Sequence, residues 1–271
     1  MGISESRFSY PAKISRYSKE SFSFGNQMNL PATYQDLVDG WLFLIDKPLG
    51  WTSFDVVNKI KGHLKSLKKI QPLELQVFNV KVGHAGTLDP LATGLLLVCV
   101  GKKTKEIDLM QAGIKSYSGV IQMGQVTASY DLETEPEGNY PFDHITEKAY
   151  HETAQSFLGE QFQTPPIFSA KQIDGKRAYE LARKGLEVRL NKSLIHVYAF
   201  EITKLDPPHV HFFITCSKGT YIRSMAHDFG ARLGSGSYLA ALRRESSMPY
   251  EVKNAFSMDE INALFNNMKN N

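Results

Sequence analysis

Cysteine is nearly absent. There are two in 271 residues, Cys99 and Cys216, and both sit in apolar runs of strand character. They read as buried free thiols of a reducing compartment rather than as a disulfide framework. Long hydrophobic runs are missing too, since none approaches the roughly 18 residues of a membrane span. The N-terminus has no apolar segment of the kind a secretion signal needs, so the expected location is cytoplasmic. Neither sign of charge dominates. Lys and Arg number 31 against 28 Asp and Glu, a net charge of +3. That excess is too small to mark a nucleic-acid binder by itself, and the distribution along the chain matters more. The hydrophobic fraction, 42%, is ordinary and allows a sizeable core without a disulfide or metal staple.

Residues 1–27 differ from the rest, with seven serines, four basic residues and two acids and no periodicity. Transit peptides share that bias, but the plainer reading is a loose polar extension ahead of Met28. The domain is then expected over 28–271. Within it, Trp41–Ile45 reads as a buried strand closed by Asp46-Lys47-Pro48, and Thr52–Asp55 as a helix cap followed by Val57, Ile60 and Leu64 at helical spacing. Residues 59–69 hold five lysines and no acid; such a run is a solvated helix face unless it lies beside a nucleic-acid site, where it contacts phosphate. Strands are expected over 95–100, from Tyr117 to Met123, and over 210–216. Helices are expected over 144–158, 177–184, from Ile222 to Leu233, and after the Ser257–Glu260 capping box. Strands and helices mix without βαβ alternation, so the class is α+β.

Three apparent motifs fail. Gly94 to Thr104 imitates a phosphate-binding loop, but six residues of strand separate its glycines where four of turn are needed. Gly234-Ser-Gly236 follows a helix and has Leu239 where a dinucleotide fingerprint needs glycine. His209 and His211 share a strand face but have no further ligand at metal spacing, so no metal is expected.

The stretch Gly83-His-Ala-Gly-Thr-Leu-Asp-Pro-Leu-Ala-Thr-Gly94 is the one loop built to hold a carboxylate. Its glycines permit tight turns and close backbone approach. Pro90 drives Asp89 toward an extended conformation, and Leu88 and Leu91 bracket it with apolar surface. Chemistry alone still leaves the alternative of an aspartate that bonds its own turn.

This stretch resembles the signature of the TruB family of tRNA pseudouridine synthases, bacterial type, at every fixed position of G-H-x-G-x-L-D-P-x-A-x-G. Further segments resemble the family's motifs in the same order. They are Asp46-Lys47-Pro48 through Thr52-Ser53, Lys115-x-Tyr117 with Met123-Gly124, Pro165-Pro166 through Ser169-Ala170-Lys171 (one residue shorter than the usual Ser-Ala-x-Lys), Ser217 through Arg223, and Tyr238 through Arg244. Together they span about residues 40–260, and ordered matches of this kind are far more specific than one motif.

The resemblance implies a pseudouridine-synthase-like catalytic domain with a mixed, largely antiparallel central sheet flanked by helices. It implies isomerisation of uridine 55 in the T loop of tRNA, with the base flipped out of the loop and with no cofactor. Asp89 matches the catalytic aspartate. His84, Tyr117, Tyr221, Arg223 and Leu242 match substrate-binding positions: Arg223 beside the carboxylate, Tyr117 on the uracil, Leu242 as an apolar wall, His84 in the gap left by the flipped nucleotide. Tyr221 and Arg223, two apart, would share a face at a strand end. An RNA-gripping insertion is expected near 160–192, where residues 171–192 carry seven basic residues against three acids; Lys171, Lys176, Arg177, Tyr179, Arg183 and Lys184 are its candidate contacts. The sequence ends at Asn271 soon after the capped helix, so no C-terminal RNA-binding module is expected. The expected partner is the tRNA T stem-loop, with no membrane, no obligate protein partner and a monomeric state. The rival readings are a guide-RNA-dependent pseudouridine synthase and a tRNA-folding chaperone without catalysis.

Overall fold

The structure is a computed structural model that describes residues 30–168, 172–173, 176–177 and 190–270. Pro31–Asn271 form one compact unit. Its centre is a nine-stranded sheet. The strands are β1 (Trp41–Lys47), β2 (Val82–Ala85), β3 (Ala92–Val100), β4 (Lys115–Met123), β5 (Gly159–Gln163), β8 (Ser193–Asp206), β9 (His209–Cys216), β10 (Ser237–Ser247) and β11 (Tyr250–Glu251), while β6 (Gln172–Ile173) and β7 (Lys176–Arg177) form a separate small hairpin. The order across the main sheet is β1-β3-β10-β4-β9-β8-β5, with β2 beside β3 and β11 beside β10. Every pairing in it is antiparallel except β3 with β10, where Leu242, Arg243 and Arg244 run parallel to Ala92, Thr93 and Gly94. The expected mixed, largely antiparallel sheet with flanking helices is what forms.

The helices are α1 (Tyr34–Asp39), α2 (Ser53–Lys68), α3 (Leu73–Gln76), α4 (Ile107–Gln111), α5 (Glu147–Gln155), α6 (Ile222–Arg232) and α7 (Met258–Asn270). Helix α2 starts where the sequence says it should. Thr52 accepts from the Asp55 amide and Asp55 accepts from the Thr52 amide, at 3.0 and 2.8 Å, which satisfies two of the amides a helix start leaves open. Ser257 and Glu260 repeat the device before α7. Helices α1, α2 and α7 cover β1 and β3 through Leu37, Val56, Ile60, Phe43, Ile45, Ile261 and Phe265. Helices α5 and α6 cover β4, β8 and β9 through Tyr150, Phe157, Phe200, Phe212 and Phe229. Each such ring, fully buried, contributes about 1.5–3 kcal/mol. Among the described residues no helix is long and apolar enough to cross a membrane.

Several boundaries depart from the sequence reading. The stretch 83–94 is loop only over 86–91, because β2 pairs with Leu97–Val100 of β3 and the start of β3 pairs with β10. Strand β8, fourteen residues long, carries no clean alternation; a register shift between Val197 and Ala199 puts the buried residues out of phase. Strand β10 is disguised by Arg243, Arg244 and Glu245, which read as surface. In the fold Arg243 pairs with Asp46 of β1 through two bonds of 3.0 and 2.6 Å, and Arg244 is 1% exposed. Residues 160–163, the start of the segment expected to grip RNA, belong to β5. Of the helix expected over 177–184, Arg177 lies in a strand and the remainder is outside the described residues.

The parallel pairing of β3 with β10 rests on Gly94. Its φ is +99°, and a Cβ there would meet the Arg244 amide nitrogen at 2.7 Å and its carbonyl oxygen closer still. Only glycine accepts both the backbone conformation and that approach. Gly94→Ala is therefore expected to lower stability by about 2–4 kcal/mol through strain and overpacking. Urea unfolding would test it; a midpoint equal to that of the natural chain would contradict the account.

Candidate active site

The loop 86–91 projects from the junction of β2 and β3, and three separate contacts hold it. The Ser53 hydroxyl, at the start of α2, accepts from the Leu88 amide at 2.8 Å and donates to the Leu88 carbonyl at 3.0 Å. The Gly50 amide donates to the Pro90 carbonyl at 2.9 Å. Lys47, fully buried, donates to the carbonyls of Trp51, Pro48 and Pro90 at 2.5, 3.0 and 3.4 Å. Leu88 is in the core and Leu91 is exposed at the rim. Asp89 thus stands between Leu88, whose backbone is tied to the start of α2, and Pro90, whose carbonyl is tied to Lys47 and Gly50. A carboxylate so placed keeps its position without help from a ligand.

Arg223 meets it from across the sheet. Its Nε lies 3.0 Å from Asp89 Oδ2, its Nη1 lies 3.5 Å from Asp131 Oδ2, and the same Nη1 donates to the Ser129 carbonyl at 3.4 Å. Arg223 sits in the first turn of α6, not on a strand, so the two-residue spacing with Tyr221 has no bearing on where they point; Tyr221 is the residue that caps the helix. Gln163 of β5 fixes that helix start, accepting from the Tyr221 amide at 2.8 Å and donating to its carbonyl at 3.0 Å. Asp131 is delivered by a tight turn in which Tyr130 adopts φ +65° and its carbonyl accepts from Leu239 of β10 at 2.9 Å. Glu133 donates its amide to Asp131 Oδ1 at 3.0 Å.

A pocket of about 680 Å³ opens beside the pair, lined by Asp89, Tyr117, Tyr221, Arg223, Leu242 and Arg244 among others. That is within the size range of small-molecule sites. Asp89 is 41% exposed at the pocket wall, yet the surrounding protein removes enough water to push its carboxyl above the ordinary range. The Arg223 guanidinium opposes that shift, Asp131 and Glu133 reinforce it, and Lys47 opposes it weakly. Tyr117, buried in β4, is pushed up to about 12, first by burial. Its hydroxyl pairs with Arg244, whose Nε donates to the Leu95 carbonyl at 2.6 Å and whose Nη2 donates to the Gly86 carbonyl at 3.1 Å. Burial holds Lys47 and Lys115 down at about 8, and each ammonium is spent on backbone carbonyls. The pocket therefore presents the Asp89 carboxyl with the Arg223 guanidinium against it, the rings of Tyr117 and Tyr221, and an apolar wall at Leu242.

Residues 73–222 match the model of the TruB family pseudouridylate synthase, N-terminal domain. A tRNA pseudouridine synthase B from Flavobacterium johnsoniae is 49% identical over 226 residues, which are 83% of this chain and 96% of that protein. The tRNA pseudouridine synthase B of Chloroherpeton thalassium is 48% identical over 82% of this chain and 89% of its own length. The chain belongs to the TruB family. A solved chain of a Cbf5-Nop10-Gar1 complex shares the fold at a TM-score of 0.60 and 23% identity; the match covers 87% of this chain and 59% of that one.

Of the positions matched to TruB site residues, the structure gathers Asp89, Tyr117, Tyr221, Arg223 and Leu242 around one pocket. His84 does not line it. It lies half-buried in β2, where burial first and then Arg244 lower its imidazole pKa. Lys176 and Arg177 are described only as backbone of the small hairpin, and Lys171, Tyr179, Arg183 and Lys184 lie outside the described residues. Sequence reading gave no role in the site to Asp131, Gln163, Lys47, Ser53 or Arg244. Lys47, Ser53 and Arg244 stand inside family motifs, which is a usable signal. Asp131 and Gln163 offer none, because their partners are distant in sequence.

The electrostatics are checkable directly. A carbon NMR titration of the Asp89 carboxyl is expected to give a midpoint above the ~3.9 of free aspartate. Arg223→Gln should raise it further, since it removes the larger of the two effects that favour the ionised form. A midpoint at or below ~3.9 in the natural chain, or a fall in the variant, would count against this description.

Proposed function

We propose that the chain isomerises uridine 55 in the T loop of tRNA to pseudouridine, acting as a cytoplasmic monomer without a protein partner. The observation that carries it is the Asp89–Arg223 pair at 3.0 Å on the wall of a pocket that also presents Tyr117 and Leu242. The tRNA substrate agrees with the names of relatives that are 44–49% identical over most of the chain. The guide-dependent alternative has less support, since the likeness to the Cbf5-containing complex is at 23% identity.

In this reaction the bond from C1′ to N1 breaks and one from C1′ to C5 forms. The C5 proton leaves and N1 gains one, so atoms and electrons balance with no redox change. The uracil has to leave the RNA stack to expose both C1′ and C5. Asp89, ionised, acts on the ribose either at C1′ or at a sugar proton, and Arg223 holds the carboxylate oriented and charged. The Tyr117 ring stacks on the uracil. Its hydroxyl, held up at about 12 and bonded to Arg244, is neutral at physiological pH and so can donate or accept a hydrogen bond without bringing charge. Leu242 closes the apolar side, Tyr221 lines the entry, and His84 supports the RNA strand where the base has left. The segment 160–192 grips RNA through Lys171, Lys176, Arg177, Tyr179, Arg183 and Lys184.

Asp89→Asn tests the carboxylate. It keeps the side-chain shape and loses the charge, so multiple turnover should vanish while folding and tRNA affinity persist. Pseudouridine mapped at near-natural rate in tRNA treated with this variant would sink the assignment. A natural chain that binds tRNA but forms no product would favour the chaperone reading.

The basic segment makes a separate forecast. Phosphate contacts are equally favourable in the ground and transition states, so losing them raises KM and leaves kcat nearly unchanged. Replacing Lys176, Arg177, Arg183 and Lys184 with Gln should therefore raise KM for tRNA several-fold more than it lowers kcat. Every side chain that no longer neutralises a phosphate should flatten the log–log salt dependence by roughly 0.7–0.9. An unchanged KM with an unchanged salt slope would mean a solvated surface.

A further inference from the structure

A second concavity, about 650 Å³, adjoins the Asp89 pocket at α4. The two are neighbours: Ile107 lines this groove, while Asp108 and Gln111 of the same helix line the pocket. Its wall from α2 presents Lys61, Lys65 and Lys68, spaced so that they fall along one side of the helix. Its other wall brings Lys81 ahead of β2, together with Phe78, a ring 41% exposed. Among the described residues no carboxylate lines the groove. Among the described residues none of the four lysines is in an ion pair.

Four lysines without an ion-pair partner around one concavity make a positive field that an anionic ligand would relieve, and the Lys61 ammonium also lies 5.5 Å from the Phe54 ring. Lysines near a helix C-terminus are also favoured by the helix dipole, and that accounts for Lys65 and Lys68. It does not account for Lys61, two turns earlier, or for Lys81, which is not on the helix. The opposite face of α2 is fully used in the core, through Val56, Val57, Ile60 and Leu67, so the lysine face is not needed for packing. A polyanionic strand with exposed bases fits what remains: charges at repeated spacing and one aromatic face for stacking.

We propose that this groove is a second RNA contact, gripping the phosphodiester backbone of the tRNA while its target base occupies the Asp89 pocket. The inference rests on the tRNA reading above, and the experiment separates the two. The full chain with Lys61→Gln, Lys65→Gln, Lys68→Gln and Lys81→Gln is compared with the natural chain and with a quadruple Lys→Arg variant, using unmodified tRNA at several salt concentrations. The Gln variant is expected to bind at least tenfold more weakly at low salt. Its log–log salt slope should be smaller by roughly 3, the sum for four neutralised phosphates. Its thermal midpoint and its single-turnover rate at saturating tRNA should stay close to natural values, and the Arg variant should bind like the natural chain. An unchanged affinity and slope in the Gln variant overturns the proposal, as does an Arg variant that loses as much as the Gln variant. If the quadruple Gln variant fails to fold, Lys65→Glu with Lys81→Glu gives the same reading through repulsion. A natural chain that makes no pseudouridine, with the Gln variant still losing tRNA affinity, would remove the proposed reaction and leave the groove standing as an RNA site.

Discussion

The close parallel approach of β3 to β10 at Gly94 and Arg244 is the constraint on which the site depends. Among the described strands it is the single parallel pairing in the main sheet. Because β10 also pairs with β4, the approach sets Leu242 and Arg244 between the Asp89 loop and Tyr117. Arg244 then turns inward and satisfies its guanidinium on Leu95, Gly86 and Tyr117. An arginine buried without such partners would be strongly destabilising. With them it becomes a rigid strut that reaches the start of the Asp89 loop through Gly86 and the aromatic wall of the pocket through Tyr117.

Around that strut the charges are arranged unevenly. Arg223 stands between two carboxylates, one at 3.0 Å and one at 3.5 Å. Its charge is shared between them, and the nearer one is held above its ordinary range chiefly by lost hydration. Burial alone would raise the Asp89 carboxyl without opposition. A lone arginine would make it an ordinary ion pair. The combination leaves a carboxyl that is oriented by Arg223 at 3.0 Å and raised above its ordinary range by lost hydration. Lys47 belongs to this balance as well, since its charge helps Asp89 slightly while its hydrogen bonds fix the loop.

Much of this was legible in the residues before any fold was known. The caps at Thr52 and Ser257, the strand at Trp41, the strand through Tyr117 and the helix from Ile222 follow from local patterns that tertiary contacts left alone. The strands β8 and β10 were not legible as strands. The first is bulged, and the second carries Arg243, Arg244 and Glu245, whose charges are tolerated only because Asp46, Leu95 and Gly86 wait for the two arginines. Arg223 shows the same limit from the other side. As a helix-start arginine it would ordinarily be a surface residue, and its burial comes from Asp89, Ser129 and Asp131, all about a hundred residues away or more.

By itself the sequence determined the class of the fold, the family, the carboxylate at Asp89 and most of the side chains around it. Those depend on short-range grammar: a capped helix, an alternating strand, a glycine where φ must be positive, a motif within a dozen residues. Tertiary structure alone decided that Asp131 shares Arg223 with Asp89, that Ser53 and Lys47 hold the loop, that His84 stands outside the pocket lining, and that Lys81 joins the lysines of α2 around one groove. Each of these brings together residues that no local rule connects, and their energies depend on burial and on distances of a few ångströms, which exist only once the sheet has closed.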